Sequence, residues 1–312
     1  MTVELAAMQI VRKPWGRADL HPWSSIDAST DPVGEVWLGR KDQRAPTPAL
    51  LFKLLFTSQP LSIQVHPNDE FAASIGLPNG KTEAWYVLSA TPGARVALGL
   101  KQPLTQEALR AAIRDGSIAG LAQWCAVVQG DVIFVPGGTI HAIGANIVLA
   151  EVQQRSDTTY RLFDFDRNRE LHEDAAVAAS DTGIVTTQPV PQRLIEARTV
   201  LVASPHFVLE RADLDPESKW TIETDRETWI LVIDGNGQIG SAETAVGDAI
   251  FMEADSADAK AGPHGLSLLI AYPGPDPIAS LLRDCTARVN GVAGASVVVP
   301  SPESDEIIEV LT

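Results

Sequence analysis

Ser62-Ile-Gln-Val-His-Pro-Asn-Asp69 and Gly80-Lys-Thr-Glu-Ala-Trp-Tyr-Val-Leu88 are the segments on which the reading of this chain turns. Gln64 and His66 lie two residues apart in an apolar, β-rich run, so a strand there points both side chains to one face. Glu83 opens a second run, Ala84-Trp-Tyr-Val-Leu88, which also reads as a strand. Farther on, Asp131-Val-Ile-Phe-Val-Pro-Gly-Gly-Thr-Ile-His-Ala-Ile-Gly144 delivers His141 just past a glycine turn. Gln64, His66, Glu83 and His141 would thus come from three strands or strand ends, the way a small β-barrel assembles a metal site inside its mouth.

Upstream, Arg12-Lys-Pro-Trp-Gly16 and Gly34-Glu-Val-Trp-Leu-Gly39 read as short strands ended by glycine. Leu50-Leu-Phe-Lys-Leu-Leu-Phe56 reads as an apolar strand with Lys53 in its middle. A lysine so placed sits at a sheet edge, snorkels to water, or aims into a functional cavity. Downstream, Asn68 is the cap expected for a short helix over 69–75 that stops at Gly76. Strands are predicted over 83–88, 94–100, 126–129, 131–135, 147–153 and 158–165. The clearest helix is predicted over 105–114, with Thr105 as its cap and Gly116 past its end. Many short strands with glycine turns and little helix predict a mostly β protein, closed or sandwiched.

After the linker Gln188-Pro-Val-Pro-Gln192 the pattern is echoed. Lys81-Thr-Glu-Ala-Trp85 lines up with Asp225-Arg-Glu-Thr-Trp229, and Gly130-Asp-Val-Ile-Phe134 with Gly247-Asp-Ala-Ile-Phe251. In that register the His141 position falls at Asp258, and no Gln-x-His segment precedes Glu227. Two domains of common design are expected, a metal-bearing one over 1–187 and a second without ligands over 193–312. The tail is expected to start as a short helix at 278 and to reach an apolar strand at Val297-Val-Val-Pro-Ser-Pro302.

At 312 residues the chain has room for two cores without disulfide or metal staples. No run of about eighteen apolar residues stands free of charges. The opening Met1-Thr-Val-Glu-Leu-Ala-Ala-Met8 has neither a basic start nor a long apolar core, so a soluble protein without a signal peptide is expected. Cys125 and Cys285 form no C-x-x-C pair and fit reduced thiols in a cytoplasmic protein. A net charge of −16 argues against nucleic acid and anionic membrane as partners, because their phosphates would be repelled. A phosphorylated metabolite is compatible if a local basic pocket receives it.

Lone histidines are usually surface or satisfied core residues, which is the reading for His21, His172, His206 and His264. His66 and His141 differ because other donors stand beside them. Two imidazoles, a carboxylate and a neutral amide would leave a divalent cation with a formal charge of about +1 and an open position. That suits catalytic zinc, with iron, manganese or cobalt as substitutes. Such an ion orients sugar hydroxyls or polarises a carbonyl.

At these residues the chain resembles the type I phosphomannose isomerases, above all their shorter bacterial members, which interconvert mannose 6-phosphate and fructose 6-phosphate on a cupin fold. The resemblance runs through Lys13-Pro-Trp-Gly16, Gly34-Glu-Val-Trp37, the two opening segments, Pro136-Gly-Gly-Thr-Ile-His-Ala-Ile-Gly144 and Glu151-Val-Gln-Gln-Arg-Ser-Asp-Thr-Thr-Tyr-Arg161, in the family's order. It implies two tandem cupin barrels of the RmlC-like jelly-roll type, with a few short helices. It also implies one catalytic Zn2+ on Gln64, His66, Glu83 and His141, with Arg161, Lys81 and Glu151 handling protons and charge. Ser62 and Lys53 resemble the substrate-pocket positions, and Lys81 is an alternative phosphate partner. Where longer eukaryotic members carry a lysine-bearing segment after the arginine, this chain has Leu162-Phe-Asp-Phe-Asp-Arg167, which raises Arg167 as an anchor.

Moving a proton between C1 and C2 through a cis-enediol needs a base over one face and a fixed positive charge for the enediolate. Arg161 suits the charge, and Glu151 or Lys81 the base. Without the family, the favoured reading of Arg161 is a buried salt bridge to Asp157 or Asp164, and that of Glu151 a strand-end surface charge. Two other functions fit the same residues: a sugar-phosphate-binding or regulatory cupin without turnover, and a metal-dependent cupin enzyme on another substrate. Gln64 speaks against an iron oxygenase, since oxygenase cupins use a His-x-His pair. The oligomeric state stays open.

Overall fold

The computed structural model describes residues 3–42 and 44–285, so the apolar strand expected at 297–302 lies outside the described residues. β1 (Val3–Leu5), β2 (Ala7–Arg17), β3 (Val33–Gly39), β4 (Leu50–Phe56) and β5 (Ile63–Val65) lead to α1 (Asp69–Ser74). Next come β6 (Glu83–Ala90), β7 (Arg95–Leu100), α2 (Gln106–Asp115) and α3 (Ile118–Leu121). β8 (Ala122–Ala126), β9 (Val132–Val135), β10 (His141–Ile143), β11 (Ile147–Gln154), β12 (Tyr160–Phe163) and α4 (Glu173–Ala179) follow. The second half adds β13 (Gln192–Ile195), β14 (Arg198–Ala203), β15 (Phe207–Leu214), β16 (Lys219–Ile239), β17 (Ala242–Ala245), β18 (Ala249–Pro273) and β19 (Leu282–Asp284).

These strands form open antiparallel sheets stacked face to face. A six-stranded sheet runs β2-β3-β4-β11-β6-β9, and a five-stranded one β12-β5-β10-β7-β8. An eight-stranded sheet follows β13-β14-β15-β18-β16-β17, with β1 added to β18 and β19 to β16. Strand alternation sets the layering. From β6, Trp85 and Val87 point into an apolar cluster with Trp15, Val96 and Ile143, between the six- and five-stranded sheets. Ala84, Tyr86 and Leu88 point the other way, into a cluster with Phe207, Trp229, Leu231 and Phe251 of the eight-stranded sheet. Each fully buried Phe or Leu of that shared cluster contributes about 1.5–3 kcal/mol of transfer free energy, which holds the two halves together. Buried on both faces, β4 is apolar at every position but Lys53.

The outer face of the five-stranded sheet, through Ile63, Val65 and Ala142, packs on Leu109 and Ile113 of α2 and Val177 of α4. The eight-stranded sheet curls around its own core of Ile222, Ile230, Val232, Ile250 and Tyr272. Among the described residues no helix is long and apolar enough to cross a membrane.

Local expectations mostly hold at the helix ends. The Asn68 side chain accepts from Phe71 N and the Thr105 side chain from Ala108 N, and Gly116 ends α2 with φ of +76°. Three expectations change. The strand expected over 126–129 is instead β8, because Val128 N donates to Asp131 Oδ2 and the chain turns at Gly130. The strand expected over 158–165 stops at Phe163, since Phe165 adopts φ of +50°. In place of a helix from 278 there is a turn, and β19 pairs with Trp220–Ile222. Helices α3 and α4 were not anticipated; Arg110 and Arg114 of α2 clamp α4 through Glu173.

The echo between the halves is present in the hydrogen-bond ladders, displaced by one residue from the sequence match. Val87 N donates to Asp131 O and Gly130 N to Val87 O, while Val232 N donates to Asp248 O and Gly247 N to Val232 O. Ala84 faces Phe134 and Val152 across its neighbours as Trp229 faces Phe251 and Ala271. Val232 therefore answers to Val87, Trp229 to Ala84 and Thr228 to Glu83. A one-residue slip flips every side chain to the other face, so Glu227 and Trp229 face the seam between the halves.

Candidate metal centre

Two sheets bring the candidate ligands together. Across the five-stranded sheet His141 of β10 lies opposite Gln64 of β5, which lies opposite Arg161 of β12. β6 of the facing sheet supplies Glu83. His66 stands one residue past β5, where the backbone is tied by Gly138 N to His66 O (2.7 Å) and Lys81 N to Pro67 O (2.9 Å). A Cβ at Gly80 would lie 2.6 Å from Pro67 O, and one at Gly137 2.7 Å from Asn68 Cα. Those glycines are where the backbone must approach closely to present His66.

The imidazoles are fixed from behind. His66 Nδ1 donates to Thr158 O (2.9 Å) and His141 Nδ1 to Thr139 O (2.8 Å), so each Nε2 keeps a lone pair. Those nitrogens converge on Glu83, at 3.4 Å from Oε2 and 3.5 Å from Oε1 respectively. The ligand atoms of His66, Glu83 and His141 all lie within 4.8 Å of one another. The Gln64 amide lies 3.5 Å from His66 Nε2 and 3.3 Å from His141 Nε2, and its Oε1 accepts from Ser62 Oγ at 3.0 Å. Its oxygen and nitrogen exchange places by a half-turn of the amide.

Burial, chiefly, and then Lys81 and His141 push His66 well below its ordinary value of 6.5. Burial likewise lowers His141. Burial pushes Glu83 up, but Lys81 and His141 more than offset it and hold the carboxyl below 4.5. Burial pulls Lys81 down, but Glu83 and Glu151 hold it above 10.5. The Lys81 ammonium accordingly bridges Glu83 Oε2 at 2.6 Å and His66 Nε2 at 2.8 Å. Neutral imidazoles of fixed tautomer around an ionised carboxylate fit a divalent cation.

Gln64 and Lys81 connect this group to a cavity of about 280 Å³. Its walls carry Lys13, Lys53, Lys81, Arg161 and Arg169 against Glu35, Glu151 and Asp157, a cationic excess inside an acidic protein. Lys53 is the cavity-facing alternative of its three readings. It lies 3.3 Å from Glu151 Oε1 and 3.9 Å from Glu35 Oε2, over the Trp37 ring. Glu151 is buried in mid-strand rather than at a surface end.

Arg161 pairs with neither Asp157 nor Asp164. Its backbone N donates to His172 Nδ1 and one terminal nitrogen donates to Glu170 O, while its buried Nε has no hydrogen-bond partner among the described residues. Burial, and then Arg169, lower its basicity. Asp164 is taken by Arg167 and Arg169. Arg167, raised as an anchor, donates to Pro60 O and is absent from the cavity wall, where Arg169 stands instead. Sequence reasoning missed Arg169, Lys13, Glu35, the indole of Trp85 and the support from His172. A Glu-x-Trp spacing was a usable signal for the indole.

A sandwich of β-sheets with a His/Glu/His group held between them at strand ends is a cupin-type fold with a candidate metal-binding group. No family model matches the chain. It is 36% identical over 198 residues to mannose-6-phosphate isomerase of Streptococcus mutans, covering 61% of this chain and 62% of that protein. It is 35% identical over 205 residues to mannose-6-phosphate isomerase ManA of Bacillus subtilis, covering 62% and 64%. The matches thus span less than two thirds of these curated relatives. The fold matches the crystal structure of the mannose 6-phosphate isomerase from Bacillus subtilis with a TM-score of 0.78, at 23% identity over 87% of this chain and 100% of that one. A Salmonella typhimurium phosphomannose isomerase matches with a TM-score of 0.69 at 15% identity, over 88% and 100%. Over about three fifths of its length the chain is thus similar in sequence to mannose-6-phosphate isomerases, and it shares their fold.

Proposed function

We propose that this chain is a mannose-6-phosphate isomerase, interconverting mannose 6-phosphate and fructose 6-phosphate through a cis-enediol. The observation that carries the reading is the convergence of His66, Glu83 and His141 beside a cavity lined by more cations than carboxylates. We assign Gln64, His66, Glu83 and His141 as ligands of one Zn2+. When bound, that ion supplies a Lewis acid for the oxygens on C1 and C2.

The chain's own residues carry the rest. Glu151, with its oxygens fixed by Lys53 and Trp85, takes the proton from C2 and returns it to C1. Lys81 is held charged by Glu83, which suits it to passing a proton between O1 and O2 rather than to abstracting one from carbon. Arg161, which lines the cavity, steadies the enediolate. Ser62 and Lys53 line the cavity as substrate-binding residues, and the acidic remainder of the surface disfavours nucleic acid and anionic membrane. We further propose two cupin units over 1–187 and 193–312, with β1 lent to the second, and a cytoplasmic enzyme whose partner is a small sugar phosphate.

A coupled assay for fructose 6-phosphate formed from mannose 6-phosphate tests the reading on zinc-loaded protein, chelated protein and Arg161→Ala. Turnover should vanish on chelation and return with zinc, and kcat/KM should fall about 10²–10³-fold in the variant. No turnover by folded, zinc-loaded protein would sink the assignment.

A further inference from the structure

Three strands carry the same short pattern, Glu-x-Trp, at Glu35/Trp37, Glu83/Trp85 and Glu227/Trp229. Alternation puts both side chains on one face. In each, the indole Nε1 donates to the carboxylate two residues before it, at 2.6, 3.1 and 3.0 Å. Trp85 alone of the three reaches a second carboxylate in the same way, Glu151 Oε2 at 3.1 Å. Its ring is fully buried and stands edge-on to the His141 imidazole, with centroids 5.6 Å apart.

One N–H therefore joins the carboxylate that faces both imidazoles to the carboxylate that lines the cavity. On Glu83, Lys81 occupies Oε2, and among the described residues the indole is the one hydrogen-bond donor to Oε1. The last torsion of a glutamate is soft, so without that donor Oε1 is free to swing from His141 toward Lys81. We propose that Trp85 is a positioning residue, whose indole N–H fixes Glu83 and Glu151 relative to one another and so sets the geometry of the metal-binding group. The inference rests on the metal reading above.

The test compares Trp85→Phe with Trp229→Phe, which deletes the matching indole-to-glutamate bond on the seam between the halves. Zinc affinity is read by competition with a chromophoric chelator, and kcat and KM by the coupled assay. Trp85→Phe should weaken zinc binding about 10–100-fold, the cost usual for an outer-shell partner, and lower kcat with little change in KM. Trp229→Phe should leave both unchanged. Equal zinc affinity in Trp85→Phe and wild type, or equal losses in the two variants, would overturn the inference while leaving the metal reading intact. Wild-type protein that retains no zinc would overturn both. Should Trp85→Phe fail to fold, benzothienylalanine at position 85 keeps the ring's shape with sulfur in place of N–H, and the same readouts decide.

Discussion

Glu83-x-Trp85 and Glu227-x-Trp229 look alike in sequence, and both glutamates are buried with an indole on Oε1, yet they are pushed in opposite directions. Lys81 and His141 hold Glu83 below 4.5 against burial, whereas burial raises Glu227 above 4.5 despite bonds from Leu50 N, Ala49 N and Trp229. The first faces the interior of its own sandwich and the second the seam, where it caps the start of β4. The pattern fixes a rotamer, and the face decides what the carboxylate does.

The same contrast extends along the row that crosses each sheet. In the first half Trp37, Lys53, Glu151 and Trp85 stand side by side, with Glu35 one step away. At the matching ladder positions of the second half stand Val200, Glu210, Ile270 and Ile230, with Arg198 in the place of Glu35. The charges are inverted and the row is closed. Arg198 makes a two-pronged pair with Glu210 and donates to Ile278 O, and Tyr272 donates to Glu210. One half keeps its buried charges beside a cavity, and the other has satisfied them internally.

Removing the carboxylate proposed as the anionic ligand would break this comparison most severely. Glu83→Gln should cost zinc affinity more than the roughly 100-fold upper end for an outer-shell loss, and turnover should fall with it. Glu227→Gln should leave zinc binding unchanged. Competition titrations of the two decide, and a zinc loss shared by both would mean that the halves are not functionally distinct.

Next in size, Arg198→Met strands a fully buried Glu210 and should destabilise the fold by about 3–5 kcal/mol in urea unfolding. Replacing both partners, Arg198→Met with Glu210→Leu, should recover most of that, since a buried pair is often no more stable than apolar residues of similar volume. Zinc affinity of the folded single variant should match wild type. A single variant as stable as wild type would show that the closed row does not support the second half.

What the sequence made legible follows from range. The four candidate ligands emerged because strand alternation and glycine punctuation are local signals, and the structure groups them. Lys53 could be placed in three ways from its own neighbours alone, since the row Glu35–Lys53–Glu151 exists only when β3, β4 and β11 pair. Arg169 and His172 were invisible because they come from an irregular loop that returns to β12. The register of the second half was misaligned by one residue because Glu-x-Trp matches by residue type, while the ladder is set by the turn at Gly247. In a period of two, that small error reverses inside and outside.

The smallest expected effect is also the most direct reading of the seam. Glu227 has a carboxyl raised in the folded protein above the value it takes when unfolded, so the folded state binds more protons across the interval between the two values. Stability from this residue is therefore greatest below the unfolded value and declines as pH rises through the folded one. Glu227→Gln removes the titration and, having a single acceptor oxygen for three N–H donors, loses about 1 kcal/mol of hydrogen bonding. In urea unfolding across a pH series, wild type should hold its largest advantage over Glu227→Gln at acid pH, and the advantage should shrink as pH rises from about 4.3 upward. An advantage that instead grows with pH would mean that the backbone donors of Ala49 and Leu50 outweigh burial. Glu227 would then be a stabilised anion like Glu83, and the difference between the two faces would lie in the absence of metal partners alone.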